Sequence, residues 1–411
     1  MGAEFYGNVF TITSSPHAYG ELWVGSDDGL VHVTRNDGES WDNVTPGNLG
    51  GAMVNAIDVS PHEPGTAYVT VAAYKMNDFR PHIYKLTDYG KRSKKLDGDL
   101  PKDSFIRVVR EDPERKGLLY AGGEKAMYVS FDDGAHWQSL QLNLPPVPVT
   151  DLQVRQGDLV AATQGRGFWV LDDLSAIRQA DNDQAKKPLH LFTPGTVQML
   201  LAGGRAGSTE GKNPPRVALL NYHIRDEHDG PLSIVISDSD GNVVLSYSSE
   251  ESDFERCVMG NADERIPFEP EYPSAEVGAN RWVWDMRRSG LHCFDDINIF
   301  EGFNGALVMP GTYTATVRIG DAETSAELEL VTDPRVDATP AEIAALGARI
   351  EAATALVNEM LHGVEDIRKA RSQVEAVMRD YPDAQPLQSA GASAVERLSA
   401  WEQKAYQVEY E

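Results

Sequence analysis

The sequence predicts a mainly β protein that ends in a helical tail. Three observations carry this prediction: a turn motif that occurs twice, a later series of short strands separated by turn residues, and a helix-capping pattern followed by apolar residues at helical spacing. The 411 residues are enough for two or three domains, each with its own hydrophobic core.

The repeated motif occupies residues 34–41 and 130–137, each after a β-rich stretch. It has a hydroxyl residue first, an amide or carboxylate residue two positions later, glycine two positions after that, and a final tryptophan. We expect the amide or carboxylate to bond its own turn, the glycine to supply a positive φ, and the tryptophan ring to be buried between sheets. The motif positions are Thr34, Asn36, Gly38, Trp41, Ser130, Asp132, Gly134 and Trp137.

The motif resembles the Asp-box, or BNR repeat, of sialidase-like and sortilin-like β-propellers, in which it is a structural turn. Residues 1–180 repeat short strands and turns at the period of propeller blades, with a degenerate copy at residues 88–90. They predict a partial β-propeller with Asp-box blades, three to four in number. Because closed propellers have at least about four blades, we expect missing upstream blades or a partner chain to complete the ring.

Residues 188–335 predict an immunoglobulin-like β-sandwich. Short alternating strands are separated there by turn sequences such as Asp-Ser-Asp-Gly at 238–241. Asn-Arg-Trp-Val-Trp-Asp-Met at 280–286, followed by Pro-Gly-Thr-Tyr at 310–313, resembles the small sandwich domain of flagellar hook-capping proteins and of many bacterial propeller proteins. This resemblance implies a structural spacer or a docking module.

Residues 338–411 predict a C-terminal helical hairpin. Thr339 and Glu342 match a capping box with proline at the first helical position. A break at residues 381–382 precedes a second amphipathic stretch at about residues 395–408. The apolar stripe of the first helix must pack on the second helix, on the sandwich or on a partner. That stripe consists of Ile343, Leu346, Ile350, Leu356 and Met360.

Over essentially its whole length, the chain resembles the C-terminal part of large bacterial BNR-repeat proteins, often labelled sortilin-like or glycosyl hydrolase. The most specific segments are residues 78–84, 88–90 and 164–173. The resemblance implies a fragment of an exported protein, so an extracytoplasmic location is favoured. The first residues lack the basic and apolar regions of a signal peptide, as expected if the natural start lies upstream.

The composition excludes several classes of partner. The formal net charge of −26 opposes binding to nucleic acid and to an anionic membrane surface. No apolar run reaches the length of a membrane span. The resemblance to β-propellers implies a glycan or a protein as the ligand at the propeller face.

The two cysteines, Cys257 and Cys293, are too few for a disulfide framework or a zinc–cysteine site. Either they pair with each other in an exported protein, or they are two buried free thiols. No histidines or cysteines have metal-ligand spacing, so we expect neither a metal nor a cofactor. Four scattered histidines are interpreted as residues without a metal-binding or catalytic role, namely His32, His223, His228 and His292.

In a propeller blade, the Asp-box turn lies at one end, and the turn between the second and third strands lies at the usual ligand end. This geometry selects Asp28, Asp78 and Glu124 as candidate catalytic carboxylates. A glycosidase needs two carboxylates roughly 5 to 9.5 Å apart. The candidates for ligand binding at the same end are Lys75, Arg80, His82, Lys125 and Arg166.

These residues also have structural interpretations. Asp27 and Asp28 can form a tight turn by bonding their own backbone. Asp78 and Arg80 can pair to hold the long excursion between the strands of the second blade. The sequence leaves these alternatives open.

The favoured function is a binding or scaffold module that holds a protein or glycan ligand at the propeller face. The alternative is a sialidase-like or xyloglucanase-like glycoside hydrolase whose catalytic carboxylates lie partly in the missing blades. A sialidase needs three arginines around a carboxylate, and this end offers Arg80 and Arg166. Phe168 and Trp169 are expected to fill the blade core, with stacking of an aromatic ring on a sugar near the ring mouth as the alternative.

Overall fold

The computed structural model describes residues 6–47, 49–181, 183–199, 217–250, 272–294, 297, 299 and 302–406. The described chain is mainly β, with antiparallel sheets followed by helices. It divides into two compact units, Met1–Gln179 and Ala180–Glu411. The finer three-part division stays a prediction. None of the helices described here combines the length and the apolar character needed to cross a membrane.

Four antiparallel sheets follow one another along the first unit, and each has its strands in chain order. The first sheet contains β1 (Val9–Ser14), β2 (Leu22–Ser26), β3 (Val31–Thr34) and β4 (Asp42–Asn43). The second contains β5 (Met53–Val59), β6 (Ala67–Ala72), β7 (Ile83–Thr87) and β8 (Arg92–Lys95). The third contains β9 (Ile106–Glu111), β10 (Leu119–Gly123), β11 (Met127–Ser130) and β12 (Gln138–Ser139). The fourth contains β13 (Val149–Arg155), β14 (Asp158–Thr163) and β15 (Phe168–Leu171), and α1 (Ser175–Gln179) follows it.

The first strands of neighbouring sheets lie side by side, since β5 contacts β1 and β9, and β9 contacts β13. Propeller blades arranged around an axis have this order. Glycine occupies the same position in β2 and β10, and a Cβ at Gly25 or Gly122 would collide with Val54 of β5 or Val149 of β13. These glycines permit the close approach of one sheet to the first strand of the next.

The core of the first unit lies between the sheets. β6 is buried along its whole length because sheets cover both of its faces. Val69 joins the apolar cluster that contains Trp23 of the first sheet, whereas Tyr68 joins the cluster that contains Ile106 of the third. Successive residues of a strand face opposite sides, so one strand serves both cores.

The second unit contains two sheets. The first has three strands in the order β16, β18, β21, and the other has five in the order β17, β23, β22, β19, β20. All neighbours are antiparallel except β17 and β23, which are parallel. The strands are β16 (Leu189–Leu191), β17 (Val197–Met199), β18 (Ala218–Ile224), β19 (Leu232–Ser237), β20 (Val243–Ser248), β21 (Gly278–Trp284), β22 (Gly311–Ile319) and β23 (Ala322–Thr332).

Both sheets of the second unit contribute to one apolar cluster. Leu220 and Trp282 come from the three-stranded sheet, and Ile234 and Val317 come from the five-stranded sheet. The indole N–H of Trp284 donates to the carbonyl of Arg287 at 2.9 Å, which satisfies the polar atom of a buried ring. Two sheets that face a common core therefore form the β part of this unit.

Two helices follow, α2 (Pro340–Asp380) and α3 (Gln385–Ala405). The predicted capping box is present: the Glu342 N–H donates to Thr339 Oγ1 at 3.3 Å, and the Thr339 N–H donates to Glu342 Oε2 at 2.8 Å. The helices are joined by Glu402 of α3, which is buried and accepts from Arg368 at 2.6 Å and from Arg371 at 2.5 Å. α3 begins about ten residues before the predicted stretch, whose end lies outside the described residues.

The buried face of α2 differs from the predicted stripe. Leu346, Leu356 and Met360 are exposed, so among the described residues they are not buried against α3 or the sheets, and packing on a partner stays a prediction. Leu361 and Val364 are fully buried instead. The reason is that helical spacing shows which residues share a face, whereas the surrounding chain decides which face is covered.

Cys293 is disulfide-bonded. This contradicts the alternative of two free thiols for the one cysteine that the structure describes. The other cysteine of the sequence, Cys257, lies outside the described residues.

Candidate functional site

The two copies of the repeated motif, which we call the octets (residues 34–41 and 130–137), form the same turn. In the first, Thr34 Oγ1 accepts from the Gly38 N–H at 3.0 Å, and Asn36 Oδ1 accepts from the Ser40 N–H at 3.0 Å. Gly38 has a φ of 89°, a left-handed conformation that glycine adopts without strain. The corresponding bonds of the second octet are Gly134 N–H to Ser130 Oγ at 2.9 Å and His136 N–H to Asp132 Oδ1 at 2.8 Å.

The tryptophans of the two octets differ. Trp137 is 7% exposed, and its indole N–H donates to the carbonyl of Leu96 at 2.8 Å. Trp41 is 41% exposed, so the expectation that it is buried between sheets is wrong. Trp137 packs on the segment that precedes its sheet, whereas the described chain before the first sheet consists of residues 6–8.

The opposite end of the sheets carries the turns between second and third strands, and we call it the excursion end (residues 27–30, 73–82, 124–126 and 164–167). Asp27 Oδ1 accepts from the N–H groups of Gly7 and Asn8, both at 2.8 Å. The Ser26 hydroxyl donates to Asp28. Asp27 thus fastens the turn to the segment that precedes β1, whereas the bond from Ser26 holds Asp28 within its own turn.

The excursion of the second sheet is closed by a clip around Asp78. Its carboxylate accepts from Arg80 Nε at 2.9 Å, from Arg80 Nη2 at 2.7 Å and from His82 Nε2 at 3.0 Å. The hydrogen bonds from Arg80 hold the pKa of Asp78 far below its usual range. Asp78 is therefore a constantly ionised anchor and a poor proton donor.

The clip leaves an apolar and basic surface exposed. Met76 and Phe79 are each 47% exposed, and Lys75 and Arg80 beside them are exposed as well. Asn77 has a φ of 61°, which reverses the chain after the short helix Tyr74–Met76. We call the exposed residues Lys75, Met76, Phe79 and Arg80 the loop surface.

A stack of side chains connects this excursion to the third sheet. The rings of Tyr74 and Phe105 are stacked at 5.1 Å, and the guanidinium of Arg107 lies 5.0 Å from the Phe105 ring. Arg107 donates from Nε at 2.7 Å and from Nη2 at 2.6 Å to Glu124 Oε2. Glu124 is thus neutralised by an arginine. The loop surface is supported by the neighbouring sheet.

The remaining candidates lie at the rim. Lys125 pairs with Asp103 at 3.0 Å in an exposed ion pair. Arg166 is exposed between two glycines with positive φ, and its carbonyl accepts from the Trp169 indole at 3.2 Å. Phe168 is 79% exposed, so the expectation that it fills the blade core is wrong. Trp169 packs partly against the apolar cluster that contains Leu152 and Leu159. Phe168 is on the outermost strand of the last sheet, where no described strand covers it.

A polar cluster that the sequence did not reveal joins three neighbouring first strands. Arg110 of β9 donates to Asp151 of β13 at 2.7 Å and lies 3.7 Å from Asp58 of β5. Burial raises the pKa of Asp58 to about 6, against the opposing charge of Arg110. The Glu111 N–H also donates to Asp58 at 2.8 Å.

A surface groove of about 750 Å³ lies at the end of the second sheet opposite to the excursion end. Lys85 lines it and is bound to Asp133 of the second octet at 2.6 Å. Asp133 also accepts from the Tyr68 hydroxyl at 2.7 Å. Because these polar groups bond one another across two sheets, we assign them a structural role and place the candidate site at the excursion end.

The structure thus brings together Asp78, Arg80 and His82 in one clip. It joins Glu124 to Arg107, a residue that the sequence did not single out. The described hydrogen bond of Asp28 stays within its own turn, and the Arg166 carbonyl accepts from Trp169 of β15. The three carboxylates selected from the sequence therefore have separate partners.

No family model and no curated protein matches the sequence. Among solved structures, YCF48 bound to D1 peptide is similar at 15% identity, with 61% of this chain and 71% of that chain covered and a TM-score of 0.32. The Niastella koreensis GH74 enzyme is 11% identical over 52% of this chain and 27% of that one, with a TM-score of 0.32. The extracellular domain of BT3049 from B. thetaiotaomicron is 12% identical over 79% and 38%, with a TM-score of 0.30. These neighbours are β-propeller proteins, and likenesses this distant identify neither a family nor an activity.

Proposed function

We propose that the first unit is part of an Asp-box, sortilin-like β-propeller that binds a protein ligand through the loop surface. The observation that carries the proposal is the exposure of Met76 and Phe79 on an excursion that Asp78 holds in shape. Exposed apolar side chains on an ordered loop are a characteristic of binding surfaces. The proposed unit corresponds to residues 1–180.

The chemistry of the loop surface favours a protein over a glycan. Methionine adapts to varied apolar partners, and aromatic and arginine side chains dominate the binding energy of protein interfaces. Lys75 gives this surface a positive charge within a chain of net charge −26, since the charge of Arg80 is balanced by Asp78. We therefore expect an extended segment with an apolar anchor and an acidic residue as the ligand.

The hydrolase alternative receives less support from the geometry. A general acid needs a pKa near the working pH, but the pKa of Asp78 is held far below its usual range by Arg80. Glu124 is bonded to Arg107 by two nitrogens. If the chain releases reducing ends from xyloglucan or a sialylated glycan, and Asp28→Ala, Asp78→Ala and Glu124→Ala abolish the release, the hydrolase function is correct.

The rest of the chain fits an assembly role in this proposal. Residues 188–335 would be the immunoglobulin-like sandwich, and residues 338–411 the helical hairpin. Disulfides form and persist in oxidising compartments, so the disulfide of Cys293 supports an extracytoplasmic location. Upstream blades or a partner chain would complete the ring.

The class of ligand can be tested with two displayed libraries. Full-length protein is immobilised and used to select phage-displayed random peptides, and the same protein is applied to a glycan array. We expect peptides that contain an aromatic or aliphatic residue beside Asp or Glu. The Phe79→Ser variant should not bind the selected peptides, because this substitution removes the apolar anchor of the loop surface.

The matched control is Phe168→Ser, which removes an exposed phenylalanine from a different part of the same unit. This variant should retain the selected peptides. Glycan binding that depends on Phe79, without peptide binding, would show that the loop surface recognises glycans. Selection of the same peptides by wild type and Phe79→Ser would contradict the proposed site.

A further inference from the structure

Two imidazoles and a carboxylate meet in the second unit. His292 lies in the segment that follows β21, whereas His362 and Glu365 lie on α2. One ligand atom from each of the three residues lies within 4.8 Å of the other two. Within the part of the chain that the structure describes, they are the one such group of three.

The helix and the segment each contribute a defined part of this cluster. His362 and Glu365 are three residues apart on α2, so they share one face of the helix. His292 Nε2 is 3.0 Å from Glu365 Oε2. The rings of His292 and His362 are stacked, with their centroids 3.6 Å apart and an interplanar angle of 25°. The two imidazoles and the carboxylate therefore converge from both elements.

Hydrogen bonds fix the orientation of the cluster. The backbone N–H of His292 donates to Asn358 Oδ1 on α2 at 2.8 Å. Lys369 Nζ lies 2.7 Å from Glu365 Oε1, which leaves Oε2 directed toward His292. Groups that orient a ligand through its second polar atom are typical of metal sites.

An apolar cluster beneath these residues holds the segment on the helix. Leu361 and Val364, which are the neighbours of His362 and Glu365, are fully buried together with Ile297 and Phe303. Cys293, the neighbour of His292, packs against the same cluster and is disulfide-bonded. The ligand atoms therefore project from a fixed base.

We propose that His292, His362 and Glu365 form a three-ligand site for a divalent transition-metal ion, with Zn²⁺ as the best match. The bound ion would fasten the segment that follows β21 to α2. Two imidazole nitrogens and one carboxylate oxygen are a ligand set of zinc with an open fourth position. Ca²⁺ and Mg²⁺ prefer sites made of oxygen ligands. The site is a property of the second unit and is independent of the ligand proposed for the first.

The ligand atoms lie near the spacing that zinc requires, with His292 and Glu365 slightly too close and all three atoms within 4.8 Å of one another. Zinc bonds of about 2.0–2.2 Å in a tetrahedral site place neighbouring ligand atoms roughly 3.3–3.6 Å apart. The His292 and Glu365 atoms are already 3.0 Å apart. His362 is exposed, so its ring can rotate toward the other two without disturbing the core.

The test is a Zn²⁺ competition titration of the untagged, full-length protein after removal of metal with a chelator. Because the chain is strongly acidic, the titration contains physiological salt and millimolar Mg²⁺ to suppress non-specific binding. We expect the wild type to withdraw one equivalent of Zn²⁺ from a chromophoric chelator. His362→Ala should weaken this binding by about tenfold or more, because one of three ligands is lost.

The matched control is His136→Ala. His136 forms an exposed pair with Asp132 at 2.6 Å, which resembles the pair of His292 with Glu365 but has no second imidazole. This variant should bind Zn²⁺ as the wild type does. Zn²⁺ should also raise the thermal unfolding midpoint of the wild type and of His136→Ala, but not that of His362→Ala.

Two results would overturn the proposal. One is a wild-type protein that withdraws no Zn²⁺ from the chelator. The other is equal Zn²⁺ affinity in His362→Ala and His136→Ala, with both variants retaining the helical circular dichroism of the wild type.

Discussion

Asp78 accepts two hydrogen bonds from the guanidinium of Arg80, from Nε at 2.9 Å and from Nη2 at 2.7 Å. The two residues are two positions apart, so the pair closes a small ring inside the excursion. His82 adds a third side chain to the same carboxylate at 3.0 Å. The clip explains how an excursion with exposed Met76 and Phe79 keeps one shape.

Asp78→Asn should loosen the excursion without unfolding the unit. The amide keeps one acceptor but loses the charge that binds Arg80, which we expect to cost about 1–2 kcal/mol of local stability. Trypsin cleavage after Lys75 should become about fivefold faster or more, because trypsin reaches that bond only when the excursion opens locally. Asp103→Asn, which breaks the exposed pair with Lys125, is the control and should leave cleavage unchanged. Equal cleavage rates in wild type and Asp78→Asn would contradict the role of the clip.

Asp58 should make the stability of the first unit fall as the pH rises. Burial raises its pKa to about 6 from an ordinary 3.8, so the folded state favours the protonated carboxyl. The stabilisation is complete below pH 3.8 and is lost as the pH rises through about 6. Asp58→Asn should therefore match the wild type near pH 4 and exceed it by at most about 3 kcal/mol at neutral pH.

Urea unfolding of both proteins at several pH values measures this difference. The comparison cancels the pH dependence of the other acidic residues. A variant that is less stable than the wild type at neutral pH would mean that the ionised carboxylate stabilises the fold through Arg110.

Glu402 should show the opposite pH dependence. Burial disfavours its charge, but the hydrogen bonds from Arg368 and Arg371 outweigh burial and lower its pKa from 4.5. Its contribution is present above pH 4.5 and is lost as the pH falls through the lower value in the folded protein. At neutral pH, Glu402→Ala should destabilise the pair of α2 and α3 by about 3 kcal/mol or more, because two arginines lose their partner.

Helical circular dichroism during urea unfolding reports this loss. Glu396→Ala, an exposed position on the same helix, is the control and should change stability by less than about 0.5 kcal/mol. Similar unfolding curves for the two variants would show that the buried ion pairs do not hold the helices together.

The tryptophans of the two octets should respond differently to the same substitution. Trp137→Ala removes a buried ring and its hydrogen bond to Leu96, and should cost about 3–5 kcal/mol. Trp41→Ala removes a ring that is 41% exposed and should cost less than about 1 kcal/mol. Urea unfolding midpoints distinguish these cases. Equal losses would show that Trp41 is covered in solution.

The sequence predicted those parts of the fold that depend on neighbouring residues. The turn predicted at residues 238–241 separates β19 from β20, since Asp-Ser-Asp-Gly is a local signal. The capping box at Thr339 was predicted for the same reason. The two turns at residues 34–41 and 130–137 were also found through their spacing.

Contacts between distant residues were not predictable in this way. Trp41 and Trp137 occupy the same motif position, yet only the surrounding sheets decide that one ring is exposed. His292 and Glu365 are 73 positions apart, so no periodicity connects them. The sequence alone could show only that His362 and Glu365 share one face of a predicted helix.

The candidate site was predicted in part. The excursion and its charged residues could be selected because a long polar segment interrupts a pair of strands. Their partners could not, since Arg107 of β9 reaches Glu124 only when the strands of the third sheet pair. The sequence therefore indicated which residues share the excursion end, but not that Asp78 and Glu124 are already bound to arginines and, for Asp78, to a histidine.

The central claim is tested most directly by the dissociation constant of a selected peptide for wild type, Phe79→Ser and Phe168→Ser, measured by isothermal titration calorimetry. We predict that Phe79→Ser raises the constant by about tenfold or more, as expected for an aromatic anchor, and that Phe168→Ser leaves it within about twofold. A constant for Phe79→Ser that equals the wild-type value, or an equal loss of affinity in both variants, would contradict a ligand site on the loop surface.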